Sequence, residues 1–227
     1  MASARLKFHV FVDFDGTIAT IDTTNHLLAR YADDSWLDIE EQWKSGEIGS
    51  RECMRRQIDL IRATPEEFDA FIGGIEIDPA FPQFVEVCND LGCEITVVSD
   101  GLDRTIEQVM MKAGLDLPHR ANHLEWTGGD RWRLSFPFSD PACPARAGHC
   151  KCSSLRETSV THRVVVGDGR SDFCMSQRGD LVLAKGALAD HCRSVGLPHL
   201  PFTDFSAATD HLVDWHQSLE PIKARFA

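Results

Sequence analysis

Two acidic residues stand two positions apart, directly after a short apolar segment near the start of the chain. Residues 7–12 are β-rich and largely apolar, which favours a strand buried in a parallel sheet, and Asp13, Asp15 and Gly16 follow at once. Acids at this spacing share one direction while the strand continues, and a glycine lets the backbone turn sharply. Two carboxylates so placed suit a hard cation such as Mg²⁺ and a nucleophile for phosphoryl transfer, although isolated acids at strand ends are also common turn formers.

Polar residues also follow two later apolar segments, residues 94–98 and 163–166, each of which predicts a strand. The residues that follow them are Ser99, Asp100, Gly101, Asp168 and Asp172. The carboxyl ends of parallel strands line one crevice, so these groups are expected to converge with Asp13. Lys151 lies between the two segments in the chain. Taken singly, Ser99 is also compatible with a helix cap, and Asp172 and Lys151 with solvated surface positions.

Strands that alternate with helices predict an α/β fold with a Rossmann-like, doubly wound parallel sheet. Residues 20–76 have a helical pattern, which predicts a small helical domain inserted after the first strand. Residues 1–19 and 77–227 are then expected to form the core domain. A hairpin is predicted across residues 123–136, and residues 181–184 predict a further strand.

The composition indicates an ordinary globular protein of 227 residues, with 43% hydrophobic and 26% charged residues. A net charge of −12 without a basic run argues against nucleic acid and anionic membranes as partners. Residues 1–6 carry no apolar segment typical of a signal peptide, and no stretch is long enough to span a bilayer. Eight cysteines, most of them in apolar or helical context, fit a reducing compartment, so a cytoplasmic location is expected.

Four segments together resemble the signature motifs of the haloacid dehalogenase superfamily: residues 13–17, the strand ending in Ser99, Lys151, and residues 167–172. The resemblance runs in the family's order over nearly the whole chain. It implies a Mg²⁺-dependent phosphatase that acts through an aspartyl-phosphate.

The resemblance also assigns roles to single residues. Asp13 matches the nucleophile, and Asp15 matches the general acid and base, which the dehalogenases of the family lack. The metal ligands correspond to Asp13, the backbone carbonyl of Asp15, and Asp168, with Asp172 orienting a metal-bound water or Lys151. The phosphate would be held by Ser99, by the backbone around Asp100 and Gly101, and by Lys151.

Within the superfamily, the helical insertion resembles the C1 cap of the phosphoserine-phosphatase-like group. The hairpin, the Cys-rich loop before Lys151 and the segment from Cys192 to Phe202 resemble the methionine-salvage phosphatases, which act on 2-hydroxy-3-keto-5-methylthiopentenyl-1-phosphate. The insertion departs from that pattern in its tryptophans and its basic helix, so the substrate need not follow.

Candidates for substrate contact in the insertion are Asp22, His26, Arg51 and Arg55. The first two follow the nucleophile closely, and the two arginines share one helix face and suit an anion. All four are equally compatible with solvated helix positions.

A cluster of sulfur and imidazole groups precedes and follows Lys151. Thiolate and imidazole are zinc ligands, but the spacing lacks a second pair, so a compact reduced loop that positions Lys151 is the alternative. The residues concerned are Cys143, His149, Cys150 and Cys152.

The leading hypothesis is therefore a phosphatase for a small phosphorylated metabolite, with the oligomeric state left open. Phosphoserine phosphatase and a phosphotransferase are the alternatives among enzymes. A phosphate-binding scaffold is the alternative outside them, although binding alone requires no nucleophile beside an acid.

Overall fold

The computed structural model describes the backbone of residues 7–223 and the side chains as far as residue 219. Residues 1–6, on which the expectation about a signal peptide rests, lie outside the described residues, as do residues 224–227. No helix in the described part is long and apolar enough to cross a membrane.

Seven strands in the described residues form one sheet, in the order β4-β3-β2-β1-β5-β6-β7. The strands are β1 (Phe8–Val12), β2 (Cys93–Leu102), β3 (His119–Gly128), β4 (Arg131–Ser135), β5 (His162–Gly167), β6 (Leu181–Ala184) and β7 (Leu200–Pro201). All neighbours pair in parallel except β3 and β4, which form the predicted antiparallel hairpin. The prediction of an α/β fold with a parallel sheet is confirmed.

The first strand occupies the centre of this sheet because both of its faces are apolar. All five residues of β1 are buried. Phe8, Val10 and Val12 pack into the large core cluster, whereas Phe11 points to the opposite face and joins a smaller cluster. A strand covered on both faces fixes the position of whatever follows it, which here is Asp13.

Ten α-helices in the described residues surround the sheet or follow its strands. They are α1 (Thr23–Tyr31), α2 (Trp36–Lys44), α3 (Ser50–Ile58), α4 (Pro65–Gly73), α5 (Phe81–Asp90), α6 (Asp103–Lys112), α7 (Lys151–Arg156), α8 (Phe173–Ser176), α9 (Gly186–Val195) and α10 (Phe205–Lys223). We refer to α1–α4 as the inserted helices. The start of α4 shows the predicted capping box, in which Thr64 and Glu67 each accept from the other's backbone N–H.

The predicted end of β2 is wrong. The sequence placed the end of the strand at Val98, but β2 continues to Leu102, with an irregularity in its pairing to β3 between Val98 and Leu102. Ser99, Asp100 and Gly101, which were predicted to follow the strand, are part of it, although glycine is rare in regular strands. The side chains that follow Val98 are therefore held by the sheet itself.

Candidate active site

Asp13 and Asp15 lie at the carboxyl end of β1, where the chain leaves the sheet. The backbone N–H of Asp13 still donates to Val166 on β5, at 2.9 Å. The turn that follows requires glycine, because Gly16 has a φ of 71° and a Cβ there would lie 2.5 Å from Oδ2 of Asp168. The close approach of Gly16 to Asp168 brings the ends of β1 and β5 together.

Lys151 is buried between the two strand ends. Its Nζ lies 2.6 Å from Oδ1 of Asp13, 2.7 Å from Oδ1 of Asp172 and 3.0 Å from Oγ of Ser171. Only 3% of Lys151 is exposed, so it is not a solvated surface lysine. The lysine is the first residue of α7, which fixes its depth in the site.

Three carboxylates meet beside this lysine. Asp13, Asp168 and Asp172 each offer an oxygen within 4.8 Å of the other two, and no other such group of acidic, histidine or cysteine residues is found in residues 7–223. Asp168 accepts from Oγ1 of Thr17 at 2.9 Å, and Asp172 accepts from the backbone of Gly169 at 3.2 Å. A set of oxygen donors without thiolate or imidazole fits Mg²⁺.

Burial sets the protonation of this group. It raises the pKa of Asp13 to about 6 against the opposing effect of Lys151, and it raises the pKa of Asp172 to about 6. Burial alone would lower the pKa of Lys151, but the two carboxylates raise it above its usual value, so the ammonium stays charged. A bound cation would favour the charged carboxylates further.

The second acid of the pair has a separate environment. Asp15 accepts from the backbone N–H of Thr23 at 2.8 Å and from the Thr23 hydroxyl, and it lies 3.5 Å from Oγ of Ser99. Burial, followed by the charge of Asp22, raises the pKa of Asp15 to about 7. Near neutral pH this carboxyl is therefore available in both the acid and the base form.

Ser99, Asp100 and Gly101, which follow Val98, make hydrogen bonds within the protein that hold this edge of the site in place. Oγ of Ser99 accepts from the backbone N–H of Gly101 at 2.8 Å, so that N–H already has a partner. The Asp100 carboxylate is engaged within the protein, because it accepts from the Ser50 hydroxyl and from the backbone N–H of His149. Asp100 links β2 to α3 and to the loop before Lys151.

The zinc alternative is wrong for this arrangement. Both ring nitrogens of His149 are engaged, Nδ1 with the Ser99 carbonyl at 3.0 Å and Nε2 with Oγ of Ser154 at 2.7 Å. The other residues of that hypothesis are buried in one small apolar cluster of cysteines, and within the described residues they form no metal-binding group with the imidazole. The imidazole of His149 instead joins β2 to α7, through the Ser99 carbonyl and the Ser154 hydroxyl.

A cleft of about 200 Å³ opens beside these groups, between the strand ends and the inserted helices. The inserted helices and the segment before them contribute Asp22, Thr24, Asn25, Glu40, Trp43, Ser50, Cys53, Met54 and Gln57. The sheet side contributes Asp13, Asp15, Gly16, Ser99, Asp100, Gly101, Asp168, Gly169, Arg170 and Ser171.

Three of the four candidates in the insertion do not line this cleft. Helix α3 faces it with Ser50, Cys53, Met54 and Gln57, which lie on one side of a helix, so Arg51 and Arg55 point elsewhere. Arg55 instead pairs with Glu52 at 2.9 Å. His26 is exposed and contacts the Asp22 carbonyl. Of the four, only Asp22 lines the cleft.

Several residues of the site were missed in the sequence. Thr23 and Glu40 carry no motif of their own, and their roles depend on which helix face turns inward. Arg170 and Ser171 lie within the motif of residues 167–172, but no role was predicted for them. The spacing of 50, 53, 54 and 57 in α3 was the one available signal, because such a face of small and neutral residues is too polar for an ordinary core stripe.

The chain is similar to known proteins over most of its length. Residues 10–177 match the family of haloacid dehalogenase-like hydrolases. A 2-hydroxy-3-keto-5-methylthiopentenyl-1-phosphate phosphatase of Brevibacillus brevis is 30% identical over 88% of this chain and 92% of its own length. A solved phospho-aspartyl intermediate analogue of phosphoserine phosphatase has a TM-score of 0.64 at 22% identity, covering 82% of this chain and 91% of that one. A phosphoserine phosphatase from T. onnurineus has a TM-score of 0.65 at 19% identity, covering 93% and 96%.

Proposed function

The chain belongs to the haloacid dehalogenase-like hydrolases, and from that premise we propose that it is a phosphatase that cleaves the phosphate monoester of a small metabolite through a phospho-aspartate at Asp13. The observation that carries the proposal is the pairing of Asp13 with Lys151 at 2.6 Å beside a second acid, Asp15, in a separate environment. A scaffold that only bound phosphate would need neither the nucleophile nor the acid.

The proposed reaction has two steps. An oxygen of Asp13 bonds to phosphorus while the bond from phosphorus to the leaving oxygen breaks, and protonated Asp15 gives its proton to that oxygen. Asp15 then accepts a proton from water as the water oxygen bonds to phosphorus and the bond from phosphorus to the Asp13 oxygen breaks. Inorganic phosphate leaves and the Asp13 carboxylate is restored.

The positions of the surrounding groups support this division of roles. Lys151 holds one oxygen of Asp13 and places an ammonium where phosphate charge would lie. Thr23 fixes the orientation of the Asp15 carboxyl by donating two hydrogen bonds to its Oδ1. Oδ2 is then the oxygen left to carry the proton. Ser99, whose Oγ lies 3.5 Å from Asp15, is available to contact a phosphate oxygen.

Asp13, Asp168 and the backbone carbonyl of Asp15 would hold a Mg²⁺ ion, with Asp172 beside them. When bound, the ion supplies positive charge that offsets the charge of the transferring phosphoryl group. We assign the ion to this position because the carboxylates there form an oxygen-only donor set.

We further propose that residues 20–76 form a cap over the core. An isolated bridge between Ala19 and Ile77 joins the points where the chain leaves the core and returns to it. A cap that covers the cleft would keep bulk water from the phospho-aspartate. The substrate is proposed to be 2-hydroxy-3-keto-5-methylthiopentenyl-1-phosphate or a related phosphometabolite, since curated relatives with that activity match most of this chain.

The test is hydrolysis of p-nitrophenyl phosphate by the purified chain with Mg²⁺ and with a chelator, followed by a panel of phosphometabolites. We expect Mg²⁺-dependent release of phosphate from the aryl ester and a marked preference within the panel. Absence of hydrolysis of every ester in the presence of Mg²⁺ would contradict the proposal. Transfer of the phosphoryl group to an added alcohol in place of water would indicate a phosphotransferase.

A further inference from the structure

A buried carboxylate in the cleft has no part in the proposed reaction. Glu40, on α2, lines the cleft although only 7% of it is exposed. It belongs to the inserted helices, whereas the reacting acids belong to the sheet. A buried carboxylate needs hydrogen-bond donors, because burial without them is costly.

Hydrogen-bond donors of the described residues contact only one of the two carboxylate oxygens of Glu40. Oε2 of Glu40 accepts from Nε2 of Gln57 at 3.1 Å and lies 3.9 Å from Sγ of Cys53. Oε1 has no hydrogen bond within the described residues, and its nearest charge is Nζ of Lys44 at 3.9 Å, on a side chain that is 54% exposed. A contact of that length at the surface is weak. An acceptor oxygen without a donor, on a residue that lines the cleft, is a position for a ligand.

Gln57 extends the same acceptor surface. Its amide nitrogen contacts Oε2 of Glu40 and, at 3.4 Å, the carbonyl of Trp36, so the nitrogen is engaged and the amide oxygen is left to accept. Gln57 is 2% exposed and lines the cleft next to Glu40. Hydroxyl groups are the donors that match two neighbouring oxygen acceptors.

The charges of the cleft restrict the ligand further. Six of the lining residues are acidic and one is basic: Asp13, Asp15, Asp22, Glu40, Asp100 and Asp168 against Arg170. Arg170 is already occupied, since it donates to the Lys44 carbonyl at 2.9 Å and lies 5.5 Å from the Trp43 ring. A second anionic group on the substrate would thus meet repulsion without a free cation. Nζ of Lys44, 3.9 Å from Oε1, already places one positive charge near Glu40, so a neutral hydroxyl donor is sufficient to complete the hydrogen bonds of the carboxylate.

We infer that Glu40 and Gln57 form a subsite for hydroxyl groups of the leaving alcohol, and that the substrate is the phosphate monoester of a neutral, hydroxyl-bearing alcohol. This rests on the proposed phosphatase function. The side chains of Trp43 and Met54, which line the same cleft, leave room beside the subsite for an apolar part of that alcohol. A bare carboxylate on the alcohol, as in an amino acid or a sugar acid, is disfavoured.

The experiment measures kcat/KM for five esters in the presence of Mg²⁺: glycerol 3-phosphate, propyl phosphate, 3-phosphoglycerate, phosphoethanolamine and p-nitrophenyl phosphate. Glycerol 3-phosphate and propyl phosphate differ only in hydroxyl groups, so their ratio isolates the subsite. A hydrogen bond to a charged acceptor predicts a ratio of roughly tenfold or more. 3-Phosphoglycerate and phosphoethanolamine should both be poorer substrates than glycerol 3-phosphate.

Three variants test whether Glu40 causes the preference. Glu40→Met removes the acceptor at similar side-chain length and should bring the ratio close to one. Glu40→Gln keeps an acceptor without charge and should leave an intermediate ratio, since charged hydrogen bonds are about twice as strong. Glu41→Gln is the matched control, because Glu41 is the next residue of the same helix and its side chain is 73% exposed. The control should keep the ratio of the unmodified protein.

The outcomes separate the inference from the function it rests on. A ratio near one in the unmodified protein, or an equal ratio in Glu40→Met, overturns the subsite. Phosphoethanolamine as the best substrate would show that Glu40 binds an ammonium group, and 3-phosphoglycerate as the best would show a site for a carboxylate, and either result overturns the hydroxyl assignment. If p-nitrophenyl phosphate is hydrolysed in these cases, the phosphatase proposal still stands. If no ester is hydrolysed, both fail.

Discussion

At the scale of single residues, the charged groups around Asp13 are net negative, and a bound divalent cation would offset that charge. Three carboxylates (Asp13, Asp168 and Asp172) and the ammonium of Lys151 carry a formal charge of 1 − 3 = −2 when all are ionised. Burial raises the pKa of Asp13 and of Asp172, and the neighbouring carboxylates raise both further against the opposing effect of Lys151. We therefore expect Mg²⁺ to stabilise the fold as well as to support turnover.

Replacement of Asp15 distinguishes its proposed role as the acid from the role of Asp13 as the nucleophile. Asp15→Asn should lose roughly 10²–10⁴-fold in kcat on an alkyl phosphate, because a poor leaving group needs a proton. The loss should be much smaller for formation of the phosphoenzyme from p-nitrophenyl phosphate, whose leaving group needs none. Rapid-quench kinetics on the two esters would measure both. Equal losses would argue against Asp15 as the acid.

The buried imidazole beside Lys151 predicts a pH effect on stability. Burial lowers the pKa of His149 from 6.5 to about 4, so the unfolded chain binds the proton more tightly. The contribution of His149 is therefore complete above pH 6.5 and is lost as the pH falls from 6.5 towards 4, by about 1.4 kcal/mol per pH unit. His149→Gln cannot take up this proton.

Urea unfolding of the unmodified protein and of His149→Gln, measured from pH 7.5 to 4.5, would show this effect. The difference in free energy of unfolding between the two should shrink below pH 6.5. Parallel curves over that range would mean that His149 is not held neutral by the fold. The comparison cancels the opposite contribution of the buried carboxyls, which both proteins share.

Asp13 and Asp168 could be foreseen in the sequence because each directly follows a strand, and Ser99 because it follows the apolar segment of β2. Asp13, Ser99 and Asp168 needed only the rule that parallel strands end at one edge. Glu40 could not be foreseen, since nothing in its own neighbourhood distinguishes it from a solvated helix position. Its burial comes from the packing of α2 against α3, which joins residues that are distant in the chain.

At the scale of elements, the turn after β1 is the most constrained. Gly16→Ala would place a methyl group against Asp168 in a left-handed conformation, and we expect a loss of activity of about 10²-fold or more from the displaced carboxylate. Gly114→Ala is the matched control, because Gly114 has a φ of 70° but no atom within 4 Å of the added Cβ. Measurements of kcat/KM and of the melting temperature would compare the two.

Each variant incurs left-handed strain of roughly 1–2 kcal/mol, and Gly16→Ala should lose somewhat more stability because its methyl group also displaces Asp168. Only Gly16→Ala should lose most of its activity. Equal activity in the two variants would mean that the contact between Gly16 and Asp168 is unimportant for turnover.

Helices with a strong local signal were predicted well, and those positioned by tertiary contacts were not oriented correctly. The start of α4 follows from Thr64, Pro65 and Glu67, which act within one turn. The orientation of α3 does not follow from its charges, because Arg51 and Arg55 are exposed while its uncharged residues line the cleft. The continuation of β2 past Val98 depends on its pairing with β3, so it could not be predicted from the local sequence either.

At the scale of the whole molecule, residues 20–76 are joined to the rest of the chain at several points. The Ser50 hydroxyl donates to Asp100, and Arg170 donates to the Lys44 carbonyl. Nε1 of Trp132 donates to the Ala63 carbonyl at 2.8 Å. The residues of the first two contacts, except Lys44, line the cleft.

A closed cap predicts a preference for small substrates. A cleft of about 200 Å³ admits a metabolite but not a folded or extended protein segment, so kcat/KM for small phosphate esters should exceed that for a phosphoserine peptide by at least about 10²-fold. Kinetics on matched small esters and a phosphopeptide would measure this. Comparable efficiency on the peptide would contradict the closed cap and leave the reaction at Asp13 unaffected.

The central claim is that Asp13 carries the phosphoryl group. The protein would be mixed with substrate and Mg²⁺, quenched in acid during turnover and reduced with borohydride, which converts an acyl phosphate of aspartate to homoserine. Mass spectrometry should then find homoserine at position 13, and Asp13→Asn, which is nearly isosteric, should fold normally but show neither homoserine nor turnover. Unmodified Asp13 in a protein that is turning over, or substantial activity in Asp13→Asn, would contradict the covalent mechanism.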